Sequence, residues 1–104
     1  MIKEYKSKIL VVEDEQDIRN LLVFNLEKND FNVQAVDNGE KALSLIRSNN
    51  FDLILLDLMI PGISGFDLTR ILKNDDETSE VPIIMLTAKG EEHDIVKGLE
   101  IGAQ

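Results

Sequence analysis

The chain has 104 residues and a formal net charge of −9, with 43% hydrophobic residues, 30% charged residues and no cysteine. This length suits one domain with one core. The missing cysteine excludes disulfides and thiolate catalysis and fits a cytoplasmic location. The acidity argues against direct nucleic-acid binding, and no apolar run is long enough to span a membrane.

The first strand and helix follow a polar tail at residues 1–7. Residues 8–13 form an apolar, β-branched run of strand length. Helical periodicity follows, and its apolar residues predict one buried face, formed by Ile18, Leu21, Leu22 and Leu26. Arg19 is expected to point to solvent, and either Asp14 or Glu15 is expected to cap the helix.

The densest apolar run of the chain comes after a second strand and a second helix. Alternating apolar and polar residues at 31–36 predict a strand near a sheet edge, and residues 40–49 have a helical pattern. The dense run begins at Phe51 and ends in one carboxylate, Asp57, before the turn at Pro61–Gly62. Such a run is typical of a strand buried on both faces.

The last part of the chain repeats the alternation of helix and strand. Apolar residues at 66–72 mark a third helix, and residues 74–80 are expected to form a surface loop. Residues 82–87 predict a fourth strand that begins with proline, and residues 91–101 predict a fourth helix. This alternation predicts an α/β fold with a parallel sheet between two layers of helices.

Chemically useful side chains follow three of the predicted strands. Glu13 and Asp14 follow the first strand, Asp57 ends the third and Thr87 ends the fourth. The carboxyl ends of parallel strands share one edge, so three carboxylates meet there if the first and third strands are neighbours. Without a cation, such a cluster costs free energy because its like charges repel each other. Oxygen ligands of this kind suit Mg²⁺. The alternative is that the carboxylates diverge and are solvated separately.

A carboxylate beside Mg²⁺ can attack phosphorus, which makes Asp57 a candidate for an aspartyl phosphate. Thr87 either donates a hydrogen bond to that phosphoryl group or simply ends a strand. Met59, two residues past Asp57, offers a backbone carbonyl to the metal or a side chain that only shields the site.

The chain resembles the receiver domain of a two-component response regulator. The matching features are the pair Glu13–Asp14, the stretch Leu55–Gly62 around Asp57, Gly65, Leu86–Thr87–Ala88, and Gly98 with Gly102–Ala103. The resemblance implies a flavodoxin-like fold in which Asp57 accepts phosphate from a histidine kinase or a phosphotransfer protein. It also implies that Glu13, Asp14, Asp57 and the Met59 carbonyl bind Mg²⁺, and that Thr87 is the switch.

The resemblance extends over four of the five strand–helix units of a receiver. The family's fifth strand ends in a lysine, and the sequence stops at Gln104, where that strand is expected to begin. We therefore expect a three-layer sandwich over residues 8–104 with strand order 2-1-3-4. Its incomplete sheet edge is a predicted site of homodimerisation or domain swapping.

The same residues argue against several other functions. A haloacid-dehalogenase-like phosphatase needs a second aspartate where this chain has Met59, and Glu13–Asp14–Glu15 would repel the phosphate of a flavin. The single histidine, His93, excludes histidine-based catalysis. We therefore expect a phosphoacceptor signalling domain rather than an enzyme. The alternative is a protein-interaction module of the same shape that works without phosphorylation.

Overall fold

Strands and helices alternate through residues 6–86, the part of the chain that the computed structural model describes. The strands are β1 (Lys8–Val12), β2 (Asn32–Val36), β3 (Leu53–Asp57) and β4 (Ile83–Leu86), and the helices are α1 (Gln16–Lys28), α2 (Gly39–Ser48) and α3 (Gly65–Lys73). Within this range no helix combines the length and the apolar character needed to cross a membrane. The helix predicted at residues 91–101 lies outside the described residues.

The four strands of residues 6–86 form one parallel sheet in the order β2-β1-β3-β4, which confirms the predicted order. In the register of the sheet, Val12 at the end of β1 lies between Val36 of β2 and Leu56 of β3. Asp57 pairs with Leu86, the last residue of β4. All four strands therefore end at the same edge of the sheet, and the residues that follow them lie side by side.

Both faces of the sheet are covered by helices, as the flavodoxin-like three-layer arrangement requires. One face packs against α2 and α3 through a continuous buried cluster, whose strand members are Leu10, Val12, Ile54, Leu56, Ile83 and Met85. The other face packs against α1, with Ile9, Val11 and Leu55 as its buried members. Alternate residues of β1 thus enter opposite layers, which explains why β1 is apolar without a break.

The packing of α1 differs from the sequence-based expectation. No residue of α1 is fully buried: Ile18 is 37% exposed and Leu21 is 60% exposed, whereas Leu22 and Leu26 pack against the sheet. Leu21 is turned about 100° around the helix from Leu22, so both cannot face the sheet directly. The prediction of a buried Ile18 and Leu21 was therefore wrong. Glu15 occupies the cap position, but no capping hydrogen bond from its side chain is present among the described residues.

The segment before β4 is more ordered than the predicted surface loop. Thr78 is buried, and its hydroxyl donates a hydrogen bond of 2.6 Å to the carbonyl of Leu72. The Lys73 ammonium donates to the carbonyls of Ser79 at 3.1 Å and Val81 at 2.9 Å. These contacts tie the end of α3 to the chain that enters β4, because each of them joins a side chain on one side of the segment to a backbone carbonyl on the other.

Candidate functional site

Three carboxylates meet at the edge where the strands end. Glu13 follows β1, Asp14 comes next, and Asp57 is the last residue of β3. Glu13 and Asp57 are buried, with exposed fractions of 4% and 3%, whereas Asp14 is exposed. One oxygen from each of the three lies within 4.8 Å of the others. Because β1 and β3 are adjacent and parallel, their ends bring these side chains together.

Backbone hydrogen bonds hold the two buried carboxylates. Glu13 Oε2 accepts a hydrogen bond of 3.1 Å from the backbone N–H of Glu15, and Asp57 Oδ1 accepts one of 3.0 Å from that of Met59. The N–H of Glu13 itself donates to the Val36 carbonyl at 3.1 Å. Each carboxylate is thus oriented by the N–H two residues later, which leaves its second oxygen available for another ligand.

Burial, together with the neighbouring carboxylates, lowers the acidity of Glu13. The pKa of Glu13 is raised from 4.5 to about 7, mainly by burial. The hydrogen bond from the Glu15 N–H lowers this pKa, whereas the Asp57 side chain and the charge of Asp14 raise it further. A proton or a cation relieves this repulsion, because either one reduces the net charge of the cluster. The site is therefore built to take up positive charge at neutral pH.

The raised pKa of Glu13 predicts how stability changes with pH. Without a cation, the folded protein keeps a proton on Glu13 up to about pH 7, whereas the unfolded chain loses it near 4.5. The folded state binds more protons between these values, so the free energy of unfolding should fall as the pH rises from about 5 to about 8. Urea unfolding in a chelating buffer measures this change.

The Glu13→Gln variant is the control for this pH effect. Glutamine cannot ionise, so its free energy of unfolding should change less with pH over the same range and should exceed that of the wild type at about pH 8. Parallel pH profiles for the two proteins would show that Glu13 is not the group responsible.

The loop after β3 is held close to the site by glycine. Gly62 has a φ of +78°, a conformation that side chains disfavour, and forms the predicted turn with Pro61. At Gly65, the first residue of α3, an added Cβ would lie 2.7 Å from both the carbonyl oxygen of Asp57 and the Cα of Leu58. The N–H of Gly65 also donates to the Leu58 carbonyl at 3.2 Å. The helix therefore begins directly against the strand end that carries Asp57.

A Gly65→Ala substitution should disturb both the fold and the site. The new methyl group collides with backbone rather than with a flexible side chain, so we expect a loss of about 1–3 kcal/mol in stability. Cation binding should weaken as well, because relief of the collision moves Asp57. Urea unfolding and a Mg²⁺ titration measure the two effects. Phe66→Ala is the control, since Phe66 is 48% exposed; equal effects in both variants would contradict the prediction.

The structure places most, but not all, of the residues that the sequence singled out. It brings Glu13, Asp14 and Asp57 together. Met59 lies beside them through its N–H, and its side chain is 71% exposed. Thr87 lies outside the described residues, so its predicted role is untested. The metal-binding role of the Met59 carbonyl also stays a prediction.

One residue near the site was assigned wrongly from the sequence. Arg19 was expected to point to solvent, but it is half-buried and its guanidinium donates to the Glu13 carbonyl at 2.9 Å. A signal for this contact is present in the sequence. Arg19 stands near the start of α1, where the helix dipole disfavours a cation, so another interaction must favour it there.

Comparison with known proteins identifies the family. Residues 9–104 match the family model described as the response regulator receiver domain. The chain belongs to this family. The receiver's structural neighbours agree: a chemotaxis response regulator of Vibrio cholerae matches with a TM-score of 0.83 and 26% identity over 95% of this chain and 82% of that one.

Two further similarities bear on what the receiver does. The phosphate regulon transcriptional regulatory protein PhoB of Pseudomonas aeruginosa is 47% identical over 95 residues, which are 91% of this chain but 42% of PhoB. The response regulator TrrA of Thermotoga maritima, solved in complex with Mg²⁺ and BeF, matches with a TM-score of 0.78 and 35% identity over 94% of this chain and 82% of that one. The chain thus spans about two fifths of the length of the curated relatives that it matches.

Proposed function

We propose that this receiver accepts a phosphoryl group on Asp57 from a histidine kinase or a phosphotransfer protein, and that phosphorylation controls an output. The observation that carries the proposal is the buried Asp57 carboxylate at a strand end, within 4.8 Å of two more carboxylates. A buried carboxylate with one oxygen held by a backbone N–H presents the other oxygen in a defined direction.

The donor set of the site suits Mg²⁺. Oxygen atoms, carboxylate oxygens among them, are the ligands that Mg²⁺ prefers, and each of the three carboxylates offers one oxygen within 4.8 Å of the others. Glu13, Asp14, Asp57 and the Met59 carbonyl are the proposed ligands. Bound Mg²⁺ supplies positive charge to the oxygens of the phosphoryl group in transfer. The Mg²⁺ and BeF in the TrrA structure support this assignment.

The residues of the chain have separate parts in the transfer. An oxygen of Asp57 attacks the phosphorus of a phosphohistidine, the phosphorus–nitrogen bond breaks, and the imidazole nitrogen keeps the electron pair and takes up a proton. The N–H of Met59 holds the other Asp57 oxygen. Thr87 is the proposed switch, since it follows Leu86 in the chain and Leu86 pairs with Asp57 in the sheet. The receiver assists this reaction, and the later loss of phosphate, as a signalling domain.

The proposal extends to the limits, location and output of the domain. The receiver domain is expected to occupy residues 8–104 after a tail at residues 1–7, and to work in the cytoplasm without contacting nucleic acid itself. PhoB is a transcriptional regulatory protein, which favours transcription as the output. Within the described residues β4 is an edge strand, which supports association through that edge, as a homodimer or a domain swap.

Labelling with a small phosphodonor tests the proposed function. Acetyl phosphate with Mg²⁺ should add one phosphoryl group to the protein, as measured by intact mass, and a chelator should prevent the gain. A folded protein that gains no mass with acetyl phosphate and Mg²⁺ would favour the alternative, an interaction module that works without phosphorylation. The similarity to PhoB and TrrA favours a function that depends on phosphorylation.

A further inference from the structure

Arg19 reaches back from α1 to the loop that carries two of the site's carboxylates. One guanidinium nitrogen lies 2.9 Å from the carbonyl oxygen of Glu13 and 3.4 Å from that of Asp14. The N–H of Arg19 donates to the Glu15 carbonyl at 2.9 Å, which anchors the residue in the first turn of the helix. A single side chain thus contacts the backbone of two consecutive residues whose carboxylates face the same cluster.

Arg19 connects α1 to the loop between β1 and α1. The N–H of Glu13 donates to the Val36 carbonyl of β2, and the Glu13 carbonyl accepts from Arg19. The N–H of Glu15 donates to Glu13 Oε2, and the Glu15 side chain forms no capping hydrogen bond among the described residues. Arg19 therefore adds a charge-assisted hydrogen bond from the helix to the backbone that carries two of the clustered carboxylates.

Arg19 shares a surface depression with a second cation, Lys41. It lines a surface depression of about 170 Å³ together with Ala35, Val36, Asp37 and Lys41. The pKa of Asp37 is lowered, mainly by its hydrogen bond with Lys41 and additionally by the charge of Arg19. The Lys41 ammonium lies 3.2 Å from the Asp37 carboxylate. Lys41 thus shares the depression with Arg19 but has a different partner.

We infer that Arg19 is a positioning residue for the metal site. Its guanidinium fixes the carbonyls of Glu13 and Asp14 and thereby holds their carboxylates at the spacing that a shared Mg²⁺ requires. The inference rests on the proposed function and extends it, because it assigns part of the Mg²⁺ affinity to a residue that is not itself one of the proposed ligands. Groups that orient metal ligands commonly contribute 10-fold to 100-fold to metal affinity.

Calorimetric titration of the intact protein with MgCl₂ tests the inference. Arg19→Gln should raise the dissociation constant of Mg²⁺ about 10-fold. Arg19→Lys should raise it less, about threefold at most, because lysine keeps a charged N–H donor that can replace the single guanidinium nitrogen in contact with the two carbonyls. Lys41→Gln is the matched control: it removes one positive charge from the same depression, touches neither carbonyl, and should bind Mg²⁺ like the wild type.

A second measurement separates positioning from a general structural role. With acetyl phosphate, the Mg²⁺ concentration for half-maximal labelling of Arg19→Gln should rise about 10-fold, while the rate at saturating Mg²⁺ changes less than about twofold. If Arg19 had a purely structural role, the substitution would lower the urea midpoint of the metal-free protein. It would not raise the Mg²⁺ requirement while leaving the labelling rate at saturating Mg²⁺ nearly unchanged.

The outcomes distinguish the inference from the proposed function. Equal Mg²⁺ affinities for Arg19→Gln and Lys41→Gln would overturn the positioning role while the metal site stands. A wild type that binds no Mg²⁺ would overturn the metal site and the inference together. A wild type that binds Mg²⁺ but accepts no phosphoryl group would overturn the phosphoacceptor proposal alone, and the dissociation constants would still decide the role of Arg19.

Discussion

We expect the Asp57→Asn variant to gain no phosphoryl group from acetyl phosphate or from a phosphorylated kinase. The amide of asparagine is a far weaker nucleophile than a carboxylate. Intact mass after incubation with Mg²⁺ and acetyl phosphate should therefore show the unmodified protein only.

The same variant should remain folded. Asparagine has nearly the same shape as Asp57 and removes one buried negative charge beside Glu13, so the urea midpoint of the metal-free protein should rise or stay unchanged. Asp76→Asn, at an exposed position in the segment before β4, is the control and should label like the wild type. Phosphorylation of a folded Asp57→Asn protein would show that another residue is the acceptor.

We expect Asp14→Asn to weaken Mg²⁺ binding by on the order of 100-fold, or about 2.7 kcal/mol. Asp14 is the exposed member of the cluster, so its carboxylate can reach an ion from the solvent side, whereas Glu13 is buried and its pKa is raised to about 7. Glu13 must therefore lose a proton at neutral pH before it can contribute its full charge to the ion, which leaves more of the affinity to Asp14. Calorimetric titration with MgCl₂ measures the loss.

A neighbouring substitution shows whether that loss is specific. Glu15→Gln removes the same charge one residue further along, but Glu15 is not a member of the cluster of three carboxylates. Its dissociation constant for Mg²⁺ should change by less than about threefold, the effect of a screened charge at the surface. A similar weakening in both variants would mean that total charge, rather than ligation by Asp14, sets the affinity.

Much of the fold followed from local patterns in the sequence. The dense apolar run of β3 predicted a strand buried on both faces, the apolar run of β1 predicted a strand, and the alternation in β2 predicted a strand near the sheet edge. These predictions succeeded because burial on one face or two leaves a direct mark on hydrophobic periodicity. Parallel order then placed Glu13, Asp14 and Asp57 at one edge, since topology alone brings the ends of adjacent parallel strands together.

Other features depended on contacts between distant parts of the chain. Ile18 and Leu21 have the spacing of buried residues, but α1 presents Leu22 and Leu26 to the sheet instead. Thr78 lies in a polar stretch and is nevertheless buried, because its hydroxyl finds the Leu72 carbonyl. Periodicity could not reveal either result. It records which residues could share a face, but not which of those residues the rest of the folded chain covers.

The sequence by itself determined the strand and helix order, the edge at which the site forms and the residue types that form it. Only the tertiary structure decided how the carboxylates are held and what they do to one another. The raised pKa of Glu13 and the contact of Arg19 with the Glu13 carbonyl both arise from packing between β1, β3 and α1. Electrostatic and hydrogen-bond energies depend on distances between atoms far apart in the chain, which residue spacing does not specify.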